Sequence, residues 1–139
     1  QMHKITASKY GWRQNNIIGS TPQSNTQHSD WTTFWREERL MPQFKMLYNK
    51  GYRRQLQPLA EQLLNNLDSL LSNHQPAASL LHGDLWSGNY AFNAQGKAVI
   101  FDPALYYGDR EADLAMTELF GGFSQDFYQA YNAAWPLDK

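Results

Sequence analysis

The stretch that decides the fold is Leu80-Leu81-His82-Gly83-Asp84-Leu85-Trp86-Ser87-Gly88-Asn89, then Tyr90-Ala91-Phe92, Asn93-Ala94-Gln95-Gly96 and Ala98-Val99-Ile100-Phe101-Asp102. Ser79-Leu80-Leu81 is a short apolar run that stops at His82-Gly83-Asp84. Tyr90–Phe92 and Ala98–Phe101 read as two strands, and Asn93–Gly96 between them supplies turn chemistry for a hairpin. Asp84, Asn89 and Asp102 therefore lie on a tight loop and at the end of the hairpin that follows it.

Working outward, residues 11–30 are polar and read as loop, with a short hairpin expected near Tyr10-Gly11-Trp12 and Ile17-Ile18. Ser29 or Asp30 can cap a helix on which Trp31, Phe34, Trp35 and Glu38 share a face. Pro42 should kink or restart that helix. Over residues 52–74, Leu56, Leu59, Leu63, Leu64, Leu67, Leu70 and Leu71 form a helical stripe expected in the core. Pro58 is expected near the first turn of that helix. Two further helices are expected near 111–120 and 124–135, separated by Gly121-Gly122, with Ser124 as a cap. The resulting fold class is α+β, mainly helical, in one domain over 1–139, since 139 residues make one real core but not two.

Composition narrows the function classes. With 42% hydrophobic and 14% aromatic residues the chain folds rather than staying disordered. A formal net charge of −1 gives no electrostatic case for nucleic acid or an anionic membrane. No apolar run approaches the roughly 20 residues of a membrane span, and no signal peptide is visible. The lack of cysteine excludes disulfides and thiolate metal sites and fits a reducing compartment, so the expected location is cytoplasmic.

The loop and hairpin suit phosphoryl transfer. Transfer from ATP needs a carboxylate near the acceptor hydroxyl and oxygen ligands for Mg²⁺, a hard cation that takes one or two protein carboxylates plus phosphate and water. Asp84 would face the hydroxyl. Asn89 would turn its side-chain carbonyl toward the metal, and Asp102 would be the main metal carboxylate. Each residue also has a plainer reading. Asp84 can be a turn residue, Asp102 can cap a turn with Pro103, and Asp113 can cap the 114–120 helix. His82 reads more readily as a structural, hydrogen-bonded histidine than as a metal ligand or base, because no second His or Cys has zinc spacing with it. Trp31 and Trp35 read as core, and Trp86 as either core or substrate wall. Gly83 and Gly88 read as backbone freedom in a tight loop.

His82-Gly83-Asp84, four residues and Asn89, followed by a hairpin and Asp102-Pro103-Ala104, resembles the small-molecule branch of the protein-kinase-like superfamily. The loop His82–Asn89 is similar to that of the fructosamine kinase (ketosamine-3-kinase) family. So are Phe101-Asp102-Pro103-Ala104, Tyr107-Gly108-Asp109-Arg110-Glu111-Ala112-Asp113-Leu114-Ala115, Asn16-Ile17-Ile18-Gly19, Thr21-Pro22-Gln23-Ser24-Asn25, Asp30-Trp31 and Glu38-Arg39-Leu40.

The resemblance implies the C-terminal lobe of a kinase-like fold that uses ATP and Mg²⁺ to phosphorylate O3 of a ketosamine, the product of a sugar and an amine. It implies Asp84 as catalytic base and acceptor contact, and Asn89 and Asp102 as ligands of the metal and nucleotide. Asp113, with His82, would hold the loop, and Trp86 would form part of the sugar-side wall. The family's N-terminal nucleotide lobe and last helices are expected to lie outside the chain, which would leave 1–139 inactive alone. Lys4, Lys9, Lys45, Lys50, Lys97 and Lys139 have no strand pattern suited to the nucleotide-lobe lysine. The expected partner is a small ketosamine or glycated amine. Two alternatives remain open: a kinase for another alcohol of aminoglycoside or choline type, and a non-catalytic lobe that self-associates through uncovered apolar surface.

Overall fold

The computed structural model describes residues 1–137. Of the lysines weighed above, Lys139 falls outside these residues. The described residues form an antiparallel three-stranded sheet, two small hairpins and five α-helices. The sheet has the order β1 (Thr6–Ala7), β4 (Ala78–Leu81), β7 (Tyr106–Gly108), with Ser79 opposite Gly108 and Leu81 opposite Tyr106. β2 (Asn16–Ile18) and β3 (Thr21–Gln23) make the first hairpin, β5 (Tyr90–Phe92) and β6 (Ala98–Ile100) the second. The fold is α+β, as expected, and the second hairpin falls where the sequence places it.

The first hairpin differs from its expectation. Ile17-Ile18 pairs with Thr21-Pro22, while Tyr10 and Gly11 leave the hairpin and bridge to His28 and Tyr107. Gly11 has φ 103°, and a Cβ there would meet the Asn25 carbonyl at 2.7 Å, so the close approach requires glycine.

Asp30 caps α1 (Trp31–Phe34), accepting from the Thr33 amide at 2.6 Å. The helix restarts at Pro42, as expected, with the proline in the first turn of the next α-helical segment. The chain widens into a π-turn over Trp35–Leu40 and continues as α2 (Met41–Leu47). Pro42 has no N–H for the Glu38 carbonyl, and the Arg39 guanidinium donates to that oxygen instead, at 2.9 Å. The break comes later, at Gly51 with φ 94°, before α3 (Arg53–Leu70). Pro58 sits inside α3, beyond its first turn.

The core gathers Tyr10, Trp31, Phe34, Ala78, Leu81 and Tyr106, with Trp12, Trp35, Leu71, Tyr107 and Ala112 against it. Trp31 and Trp35 are thus packing residues, and Phe34 stacks on both Trp31 and Tyr106. The leucine stripe is only partly core. Ala60 and Leu67 of α3 are buried, whereas Leu59 and Leu70 are 63% and 66% exposed and Leu63 is also exposed. Leucines occupy two faces of α3, and only one is covered, with α2 packed against the helix.

Asp109 caps α4 (Arg110–Glu118) by accepting from the Glu111 amide at 3.0 Å. Asp113 therefore lies inside α4 and is no cap. α5 (Gln125–Ala134) follows Ser124, whose side chain makes no cap bond. Arg110 donates to the Trp135 and Pro136 carbonyls at 2.8 and 2.6 Å, closing the end of α5. No helix among the described residues is long and apolar enough to cross a membrane.

Phe34 is fully buried at the meeting point of α1, β7 and the Tyr10 segment. Phe34→Ala is expected to lower unfolding free energy by about 3–5 kcal/mol in urea titration, since it removes the ring and leaves a cavity.

Candidate active site

The loop after β4 is gripped from outside through its backbone amides and braced from within by its own side chains. Asp113, 1% exposed, reaches from α4 to accept the His82 amide at Oδ2 (2.7 Å) and the Gly83 amide at Oδ1 (2.8 Å). A third donor comes from the beginning of the chain: His3 Nε2 lies 3.0 Å from Asp113 Oδ2, and His3 Nδ1 pairs with the Tyr131 hydroxyl of α5 at 2.8 Å. A buried carboxylate is costly unless its oxygens are satisfied, and here both are used.

His82 acts inside the loop. Its Nε2–H donates to the Phe101 carbonyl at 3.0 Å, and its Nδ1 accepts the Asp84 amide at 3.3 Å. That pattern requires the neutral ring. It ties the end of β6 to the start of the loop, and a backbone bond from the Ala104 amide to the His82 carbonyl (2.8 Å) repeats the tie beyond Asp102. His82 is therefore a structural residue here.

Asn89 is buried, and its Nδ2 donates to both the Asp84 carbonyl (2.8 Å) and the Asp84 carboxylate Oδ2 (3.0 Å). The structure thus joins Asp84 and Asn89 directly. With Nδ2 committed to Asp84, the amide oxygen of Asn89 is the atom suited to a hard cation. Asp102 is exposed and has φ 57°, a left-handed backbone uncommon for a residue with a side chain. Its flanks are fixed: the Phe101 amide donates to the Asn89 carbonyl at 3.1 Å, and the Ala104 amide is held as above. Among the described residues no group of three or more His, Cys, Asp or Glu side chains could hold a metal. An Asn89–Asp102 pair is an all-oxygen donor set. It suits Mg²⁺ completed by phosphate and water, and not a self-sufficient protein cage.

Trp86 is half-buried and meets Phe120 edge to face at 5.7 Å. Phe120 was not singled out by the sequence, though Ser87 Oγ donates to its carbonyl at 3.2 Å. Gly88 serves space rather than backbone freedom: a Cβ there would meet the Trp86 ring at 2.2 Å. Gly83 needs both, with φ 80° and only 2.0 Å between an added Cβ and the Ala104 carbonyl.

Beneath the site lies Tyr106, whose burial pushes its hydroxyl up to about 12 although Arg39 opposes the shift. The Arg39 guanidinium stacks 4.0 Å from the Tyr106 ring, and burial lowers its own pKa. Burial also raises the Glu38 carboxyl, but hydrogen bonds from Ser24, His28 and Thr26 outweigh it and hold the group below its usual value. Sequence reasoning missed His3, Tyr131 and the strand β7; no local pattern announces a partner more than 100 residues away. None of Lys4, Lys9, Lys45, Lys50 and Lys97 lies in a strand.

Gly83→Ala is expected to destabilise the fold by more than the ~1–2 kcal/mol of a left-handed alanine, because the Ala104 carbonyl must also move. Thermal unfolding with circular dichroism checks this, and an unchanged midpoint would contradict the close approach.

The profile of the fructosamine kinase family matches residues 1–139. A Vibrio parahaemolyticus protein named "probable ketoamine kinase" is 46% identical over 138 residues, covering 99% of this chain and 46% of its own length. The chloroplastic protein-ribulosamine 3-kinase of Arabidopsis thaliana is 41% identical, covering 98% of this chain and 42% of its own. A crystal structure of a "putative fructosamine-3-kinase" from Thermobifida fusca superposes with TM-score 0.88 at 36% identity, covering 99% of this chain and 48% of that one. The chain thus spans about half the length of the relatives it matches. It belongs to the fructosamine kinase family.

Proposed function

We propose that this chain is the catalytic-loop lobe of an ATP-dependent kinase that phosphorylates a ketosamine on O3, the nucleotide lobe lying elsewhere in the full-length protein. The observation that carries the reading is the direct pairing of Asp84 with Asn89 at 3.0 Å, beside a hairpin end tied to the same loop through His82. The family match and the ribulosamine kinase relative support a sugar–amine acceptor.

In this reading Asp84 receives the proton of the acceptor hydroxyl as that oxygen bonds to the γ-phosphorus and ADP departs. Asn89 fixes the rotamer of Asp84 through its Nδ2–H, so the base meets the acceptor without reorganising. The Asn89 amide oxygen and the Asp102 carboxylate would hold Mg²⁺, which neutralises charge on the phosphates. Trp86, with Phe120 against it, forms an apolar wall for the sugar carbons. The binding of nucleotide by Asn89 and Asp102 follows from the same two oxygens.

The test is ATP- and Mg²⁺-dependent phosphorylation of a simple ketosamine by the full-length protein. Asp84→Asn is expected to reduce kcat by about 10²–10⁴ with the fold retained. An undiminished rate would remove Asp84 from the mechanism, and transfer to an aminoglycoside or choline instead would reassign the acceptor.

A further inference from the structure

The β2–β3 hairpin is inside out. Ile17 is 61% exposed, while Gln23 on the opposite strand is 7% exposed and Asn25 just beyond it is buried. A buried polar cluster under an exposed isoleucine is the informative case. Asn16 and Gln23 are register partners, so their side chains lie on one face of the hairpin. That face addresses a single target, the backbone that follows Asp102. Gln23 Nε2 donates to the Ala104 carbonyl (3.1 Å) and Asn16 Nδ2 to the Leu105 carbonyl (2.8 Å).

The two amides are themselves locked. Asn16 Oδ1 accepts from Gln23 Nε2 and from Asn25 Nδ2, each at 2.9 Å, and Asn25 Oδ1 accepts from Arg39 Nη2 at 2.9 Å. Arg39 is anchored in turn to the Ser24 carbonyl at 2.6 Å and over the Tyr106 ring. A continuous chain of side-chain hydrogen bonds therefore runs from Arg39, in the π-turn Trp35–Leu40, to the segment that follows Asp102.

We propose that Asn16 and Gln23 are positioning residues that set the place of Asp102 opposite Asn89 and thereby the site's affinity for a divalent cation, an inference that rests on the kinase reading above. Asp102 sits in a left-handed conformation two residues before Ala104. His82 secures the chain before it and the Ala104 amide after it. Without the Gln23 and Asn16 donors the Ala104 and Leu105 carbonyls lose their fixed direction, and the Asp102 carboxylate is free to swing. Partners that orient metal ligands from behind typically govern about 10–100-fold in metal affinity.

The test uses the full-length protein and calorimetric titration with a non-hydrolysable ATP analogue, with and without Mn²⁺. The ratio of the two dissociation constants isolates the cation. Gln23→Met, which keeps length and loses the donor, is expected to reduce that ratio about tenfold or more with metal-free affinity unchanged. Leu67→Ala, a core change in α3, is expected to lower thermal stability and leave the ratio intact, which separates positioning from general weakening. If Gln23→Met does not fold, Asn16→Asp removes the donor to Leu105 and carries the same expectation. A folded variant with the wild-type ratio overturns the proposal. Wild type that binds no analogue under either condition overturns the kinase reading and the positioning role together.

Discussion

The structure depends on one buried carboxylate. Asp113 accepts the amides of His82 and Gly83 and faces His3, so helix α4, the loop after β4 and the first residues of the chain meet at two oxygen atoms. Breaking such a group by removing its partners leaves an uncompensated buried charge, a cost of several kcal/mol. Asp113 grips the loop by its main-chain amides and engages neither the Asp84 nor the Trp86 side chain. Tyr131 extends the same network to α5 through His3.

A second layer works on the other side of the loop. His82 binds the Phe101 carbonyl with its ring and the Ala104 amide with its carbonyl, spanning Asp102. Gly83 permits the Ala104 carbonyl to come close, and Gln23 occupies that carbonyl from below. Two acidic residues 18 positions apart in sequence are thus held by one set of backbone bonds. Burying so many polar groups is tolerable because nearly all are paired; among the described residues the buried side-chain atoms without a protein partner are Arg39 Nε and Ser79 Oγ.

What the sequence made legible was local. Asp84 and Asn89 belong to one turn, and Asn93–Gly96 signals a hairpin whose strands appear as expected. Asp102 was read from the hairpin that delivers it, with a turn cap as the plainer alternative, whereas the loop-holding role of Asp113 needed a resemblance, since spacing alone also allowed a helix cap. Asp109 proved to be the cap of α4, four residues earlier than the alternative for Asp113. β7 was hidden because Tyr106-Tyr107-Gly108 is short and pairs with a strand some 25 residues away. The leucines of α3 misled because a 3.6-residue period shows that an apolar face exists without showing what covers it. Pro42 was legible as a restart: it stands in the first turn of α2, after the helix widens and the Arg39 side chain takes the carbonyl that proline cannot serve.

The most direct test of this account is native-state hydrogen exchange of the His82 and Gly83 amides, followed by NMR. Clamped by Asp113, both are expected to exchange only through global unfolding, with the protection of β4 core amides. Exchange at the rate of the exposed β5–β6 turn would contradict the clamp, and with it the reason Asp84, Asn89 and Asp102 stay together.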